Sequence, residues 1–70
     1  MKIKDLDAVA LTHDLPEHGL KAGERGTVVH RYRDDFTFEI EFPATEAHPV
    51  TLLMLTLDDF RLVAEKSTAG

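Results

Sequence analysis

The chain has no cysteine. That excludes a disulfide scaffold, a thiolate zinc finger, an iron–sulfur site and a cysteine nucleophile, and it fits a reducing compartment. Serine is almost as scarce, with Ser67 the only one. A Ser–His–Asp arrangement therefore has no nucleophile within the body of the chain. No apolar run approaches the roughly 18 residues of a membrane span. The start, Met1-Lys2-Ile3-Lys4-Asp5, lacks the apolar stretch of a signal peptide. A soluble, cytoplasmic protein with no membrane contact is the expectation. Positive charge is also in deficit: eight Lys and Arg stand against thirteen Asp and Glu, a formal charge of −5. Phosphate contacts need clustered Lys and Arg, whereas Arg31 and Arg33 run straight into Asp34 and Asp35. Nucleic acid is thus the weaker class of partner.

What is present is a globular composition, 43% hydrophobic and 30% charged over 70 residues. One domain over residues 1–66 is expected, with 67–70 (Ser67-Thr68-Ala69-Gly70) as a frayed tail. A chain of this size buries only roughly 60% of its unfolded surface, so its core is thin.

The pattern reads as five short strands. Asp7 to His13 alternates, with Val9 and Leu11 on one face. Residues 14–19 break that alternation: Pro16 and Gly19 predict a loop, with room for one helical turn. Gly23 suits a tight turn. Gly26, before the β-branched run Thr27-Val28-Val29, suits a bulge or a close backbone approach. A second strand runs through Tyr32, and Asp34-Asp35 marks a turn. Phe36 to Phe42 is the clearest alternation, with Phe36, Phe38, Ile40 and Phe42 on one side and Thr37, Glu39 and Glu41 on the other.

Directly opposed residues share a face. A hairpin pairing Tyr32 with Phe38, His30 with Ile40 and Val28 with Phe42 satisfies that rule, and sets Arg31 against Glu39. A bulge restoring the same parity also satisfies it. Pro43 to Pro49 is a loop. Val50 to Leu57 is apolar on both faces, Val50, Leu52 and Met54 against Leu53, Leu55 and Leu57. Helical spacing fits Val50, Leu53, Met54 and Leu57 as well, but Thr51, Thr56 and weak capping favour a strand. Phe60 to Val63 forms the last strand. The fold class is mainly β, a small five-stranded barrel. Its expected core is Val9, Leu11, Leu20, Val28, Tyr32, Phe38, Ile40, Phe42, Leu53, Leu55, Leu57, Phe60 and Leu62.

Several stretches also carry a resemblance. They are Leu6-Asp7, the run from Leu11-Thr12-His13-Asp14-Leu15-Pro16-Glu17-His18-Gly19-Leu20 through Gly23-Glu24-Arg25-Gly26-Thr27-Val28-Val29-His30, and later Glu39-Ile40-Glu41-Phe42 and Leu55-Thr56-Leu57. Over about Asp5 to Val63 the chain resembles a family of small bacterial proteins known as domain of unknown function 4926. The resemblance implies an SH3-like barrel: a strand, a long first loop, a hairpin and two short strands. It implies no established activity and no catalytic residues. It also implies a second small protein encoded nearby as a partner.

Chemistry finds little support. His13, Asp14, Glu17 and His18 share one loop and are metal-ligand types, but their spacing fits no defined site and a solvated polar loop explains them. His30 is expected on the inward face with a backbone partner, and His48 as a loop residue. Gly23-Glu24-Arg25-Gly26 lacks the Lys-Ser/Thr and helix start of a phosphate loop. Asp34-Asp35 and Asp58-Asp59 read as turn residues, and a thin barrel lacks a pocket of several hundred Å³. No cofactor, no metal and no catalytic residue is expected; the chain reads as a non-enzyme.

Protein binding remains. With Leu53, Leu55 and Leu57 turned inward, Val50, Leu52 and Met54 form a stripe for a partner, unless loops or the N-terminal residues wrap it. The charge suits a basic partner, as an antitoxin or immunity protein would have. A homodimer through the same stripe and a nucleic-acid-binding barrel are the alternatives.

Overall fold

The structure, a computed structural model, describes residues 3–63. The strands are β1 (Ala8–Leu11), β2 (Arg25–Arg31), β3 (Thr37–Phe42), β4 (Thr51–Thr56) and β5 (Phe60–Leu62). Each pairs antiparallel with its neighbours in one sheet of order β4-β3-β2-β1-β5, which curls into a half-barrel. This layout is consistent with the SH3-like expectation. A single 3-10 turn, Pro16–His18, sits in the first loop and closes on Gly19 at φ 72°. No helix among the described residues is long and apolar enough to cross a membrane. The expected tail, residues 67–70, lies outside the described residues.

β3 is the centre of the packing. Its alternation T-F-E-I-E-F buries Phe38, Ile40 and Phe42 together. Val9 and Leu11 of β1, Val28 of β2, Leu55 of β4, Phe60 of β5 and Leu20 from the first loop complete the cluster. Phe60 meets Phe38 edge-on, with ring centroids 5.6 Å apart. Leu53 and Leu62 are half-buried beside it, as are Ile3 and Leu15. Ala10 is buried although it points to the opposite face from Val9 and Leu11. Two expected core residues fall outside. Tyr32 lies half-buried beyond the end of β2, and Leu57 lies beyond β4 at 42% exposure.

Segment 50–57 is strand, not helix. Six of its residues pair with β3, from Phe42↔Thr51 to Thr37↔Thr56. That register lays Leu53 and Leu55 over the Phe38–Ile40 face, an outcome no isolated helix in a barrel this thin would match.

The β2–β3 hairpin takes the bulged route. Asp34 sets the turn: one carboxylate oxygen accepts the Phe36 and Thr37 amides at 2.8 Å each, and the other accepts the Thr37 hydroxyl at 2.8 Å. Asp35 takes a left-handed φ of 58°. The turn thereby locks the Tyr32 amide onto the Thr37 carbonyl at 3.0 Å. Arg31 then falls opposite Phe38 and His30 opposite Glu39, the mismatched parity. An extra residue, Val29, corrects it, and beyond the bulge Val28 faces Ile40 and Thr27 faces Glu41. The expected pairs Tyr32–Phe38, His30–Ile40, Val28–Phe42 and Arg31–Glu39 are therefore replaced. His30 is exposed rather than inward, edge-on to Tyr32 at 4.8 Å, and Arg31 pairs with Asp35 at 3.5 Å.

At Gly26 β2 comes too close to β3 for a side chain. A Cβ built there meets Ile40 Cγ2 at 2.7 Å, the Glu41 carbonyl oxygen at 2.9 Å and Phe42 Cδ2 at 3.0 Å. Two of those atoms belong to fully buried side chains and one to backbone, so none can give way cheaply. Gly26→Ala is expected to destabilise the fold by about 1–3 kcal/mol, an overpacking cost. Urea unfolding of both proteins, compared at equal m-value, measures it.

Candidate functional site

Among the described residues β4 has β3 on one side and no strand on the other. Antiparallel residues alternate in whether their N–H and C=O point at the partner strand or away from it. The Leu57 amide donates to the Phe36 carbonyl at 3.1 Å, which fixes the phase. Thr51, Leu53 and Leu55 thus point their backbone groups at β3, whereas Leu52 and Met54 point theirs at the open edge. Thr56 is in the same phase as Leu52, but its amide is bound by the Asp59 carboxylate at 3.0 Å. The Asp58-Asp59 turn so closes one end of the edge.

The same two residues turn their side chains outward. Val50, Leu52 and Met54 are 59%, 55% and 63% exposed, and no described residue wraps them. Ile3, from the N-terminal segment, packs against the core cluster instead. Exposed strand edges usually carry Lys, Pro, a bulge or a charge that discourages pairing. β4 reads T-L-L-M-L-T and has none of these. On the outward face Glu41 lies directly opposite Leu52, and Glu39 opposite Met54. Neither carboxylate is in an ion pair among the described residues. Desolvation, and after it the charge of Glu39, raises the Tyr32 phenol above its ordinary range.

The histidine loop does not assemble a metal site. His13 turns away from it: Nε2 meets Asp59 Oδ1 at 2.9 Å and Nδ1 meets the Asp14 carbonyl at 3.0 Å. Glu17 and His18 stay exposed on the 3-10 turn. Among the described residues no group of three or more His, Asp or Glu is placed to hold a metal.

His48 is the residue that sequence reading undervalued. It is in the loop expected, but it is 5% exposed. Its Nδ1 lies 2.7 Å from the Pro49 carbonyl and its Nε2 2.8 Å from Glu24 Oε2. A carbonyl and a carboxylate only accept, so the arrangement favours the protonated ring, which donates from both nitrogens. It staples the 43–49 loop to the residue just before β2. No local pattern could reveal it, because Glu24 is 24 positions away.

An open groove of about 330 Å³ lies between the 3-10 turn and that loop, lined by Asp14, Pro16, Gly19, Leu20, Lys21 and Ala47. The expectation that so thin a barrel offers no such volume is corrected: the hollow is on the outside, made by two loops. Asp14 Oδ1 is already engaged by the Ala22 amide at 2.8 Å.

The pairing shifts titration in a consistent direction. The Pro49 carbonyl, and then Glu24, hold His48 above its ordinary 6.5, and Asp59, and then the Asp14 carbonyl, do the same for His13. His48, and then the Lys21 amide, lower Glu24 from 4.5. Burial pushes Asp59 up, but the Thr56 amide and His13 outweigh it and bring it below 3.8. A raised histidine stabilises fully below 6.5 and loses that contribution as pH climbs through its folded value. A lowered carboxylate stabilises above its unfolded value and loses that as pH falls. The thermal midpoint is therefore expected to decline from about pH 6 to about pH 8, and His48→Gln to flatten that slope. Thermal melts across the range check both.

A family profile described as Domain of unknown function (DUF4926) matches residues 5–62. No curated protein and no solved structure matches the chain. The matched span takes in all five strands, the first loop and the open edge at β4, so the chain belongs to the family described as Domain of unknown function (DUF4926).

Proposed function

We propose that this chain is a non-enzymatic protein-binding module whose docking element is β4, with Val50, Leu52 and Met54 as the contact residues. One observation carries the reading: an uncharged strand that exposes its apolar side chains and its free backbone groups together. Monomeric domains seldom leave such an edge unprotected. In finer form, the chain is the acidic member of a pair that neutralises or chaperones a basic protein encoded nearby, as an antitoxin or immunity protein does. The formal charge of −5 supports that form, since opposite charge speeds encounter.

Co-expression with the product of the adjacent gene is expected to yield a stable complex. Leu52→Lys should weaken it by at least about tenfold, a loss of 1.4 kcal/mol or more, because it sets a charge in an apolar contact and repels a basic partner. Leu52 is exposed in the free protein, so its thermal midpoint should stay close to wild type. Co-purification and isothermal titration measure the effect. Absence of a complex, or indifference to the substitution, rejects this function.

A further inference from the structure

We propose that β4 accepts an added strand from its partner, and that this strand reads basic–apolar–basic opposite Leu52, Leu53 and Met54. The inference rests on the protein-binding reading above and names the chemistry of the partner.

Two features make strand addition the mode of binding. The N–H and C=O groups of Leu52 and Met54 point along the sheet toward the open edge, where β4 has no neighbour among the described residues. In strand addition the main chain supplies affinity and alternate side chains supply specificity. Thr56 cannot extend the ladder, because the Asp59 carboxylate holds its amide. The register is thereby confined to the stretch around Leu52 and Met54.

The side chains follow from the rows across the sheet. One row runs Glu41–Leu52, and the next outward row runs Glu39–Met54. An added strand extends each row by one residue. Strands lie about 4.8 Å apart, so those new residues stand roughly 10 Å from the carboxylate-bearing strand. Between them is the apolar surface of Leu52 or Met54. A Lys or Arg suits that geometry, since its aliphatic stem lies along apolar surface and its head reaches onward to a carboxylate. One side chain then covers the exposed stripe and meets Glu41, and a second, two residues along, does the same for Glu39. The residue between them turns to the inner face beside half-buried Leu53 and is apolar.

Charge selects against the other occupants. A second copy would offer Leu52 and Met54 but no cation, and would leave its own Glu39 and Glu41 on the same face. A nucleic acid would bring phosphates to two carboxylates that are in no ion pair among the described residues.

The test uses the intact 15N-labelled protein and short synthetic peptides. The first alternates Lys and Val, the second alternates Glu and Val, and the third is the Lys–Val peptide N-methylated on the residues that face β4. The Lys–Val peptide is expected to slow hydrogen exchange at the Leu52 and Met54 amides, and the other two to leave both unchanged. Glu39→Gln with Glu41→Gln should weaken the Lys–Val peptide by about tenfold at low salt, with circular dichroism unaltered. If the peptide leaves both amides unprotected, strand addition is overturned; the wider protein-binding reading still stands if Leu52→Lys disrupts the complex with the adjacent gene product. If the double variant binds as well as wild type, the basic requirement is overturned. If both amides are protected without peptide, increasingly with protein concentration, the edge is taken by a second copy and the proposal is overturned.

Discussion

The face of β3 that carries Phe38, Ile40 and Phe42 is the constraint to which the rest of the domain conforms. A single curled sheet has one concave side, and in a chain this small that side holds almost all the buried apolar area. Every other strand must therefore bring its apolar residues into phase with β3. β4 does so without correction, and Thr51 to Thr56 pair in unbroken register. β2 does so only by inserting Val29. Gly26 follows from the same demand, since β2 must come near enough to Ile40 and Phe42 that no side chain fits between.

That geometry also explains why the candidate site sits where it does. A sheet that curls without closing leaves two borders. β5 is a three-residue strand beside β1. β4 is twice as long and wholly uncharged. The inward half of β4 is committed to the core, so the outward half is apolar without a structural need. Carboxylates on the neighbouring strand border this apolar row. Fold and candidate function thus share one strand, and its two faces answer to different requirements.

Much of this was legible in the order of residues. The strict alternation of β3, the φ-positive glycines at 19 and 23 and the close approach at Gly26 each have a local cause, and each is where the pattern placed it. The stripe on β4 was legible for the same reason: once Leu55 faces in, parity alone puts Leu52 and Met54 out. The hairpin pairs were not, because Asp34 binds three groups in its own turn and that local choice overrides the strand parity until Val29 restores it. His30 and Tyr32 went astray with those pairs. The His48–Glu24 and His13–Asp59 contacts join residues far apart in the chain, and no periodicity encodes them.

Those two rings have a thermodynamic consequence of their own. With both protonated, the formal balance of the folded chain is −5 + 2 = −3. Unfolding removes the acceptors that hold the extra protons, so wherever the folded rings still carry them above pH 6.5 the denatured chain sheds them into the solvent. The calorimetric enthalpy of unfolding then contains the ionisation heat of whatever buffer receives those protons. Tris and phosphate will return different enthalpies for the same melt, and the gap between them counts the protons released.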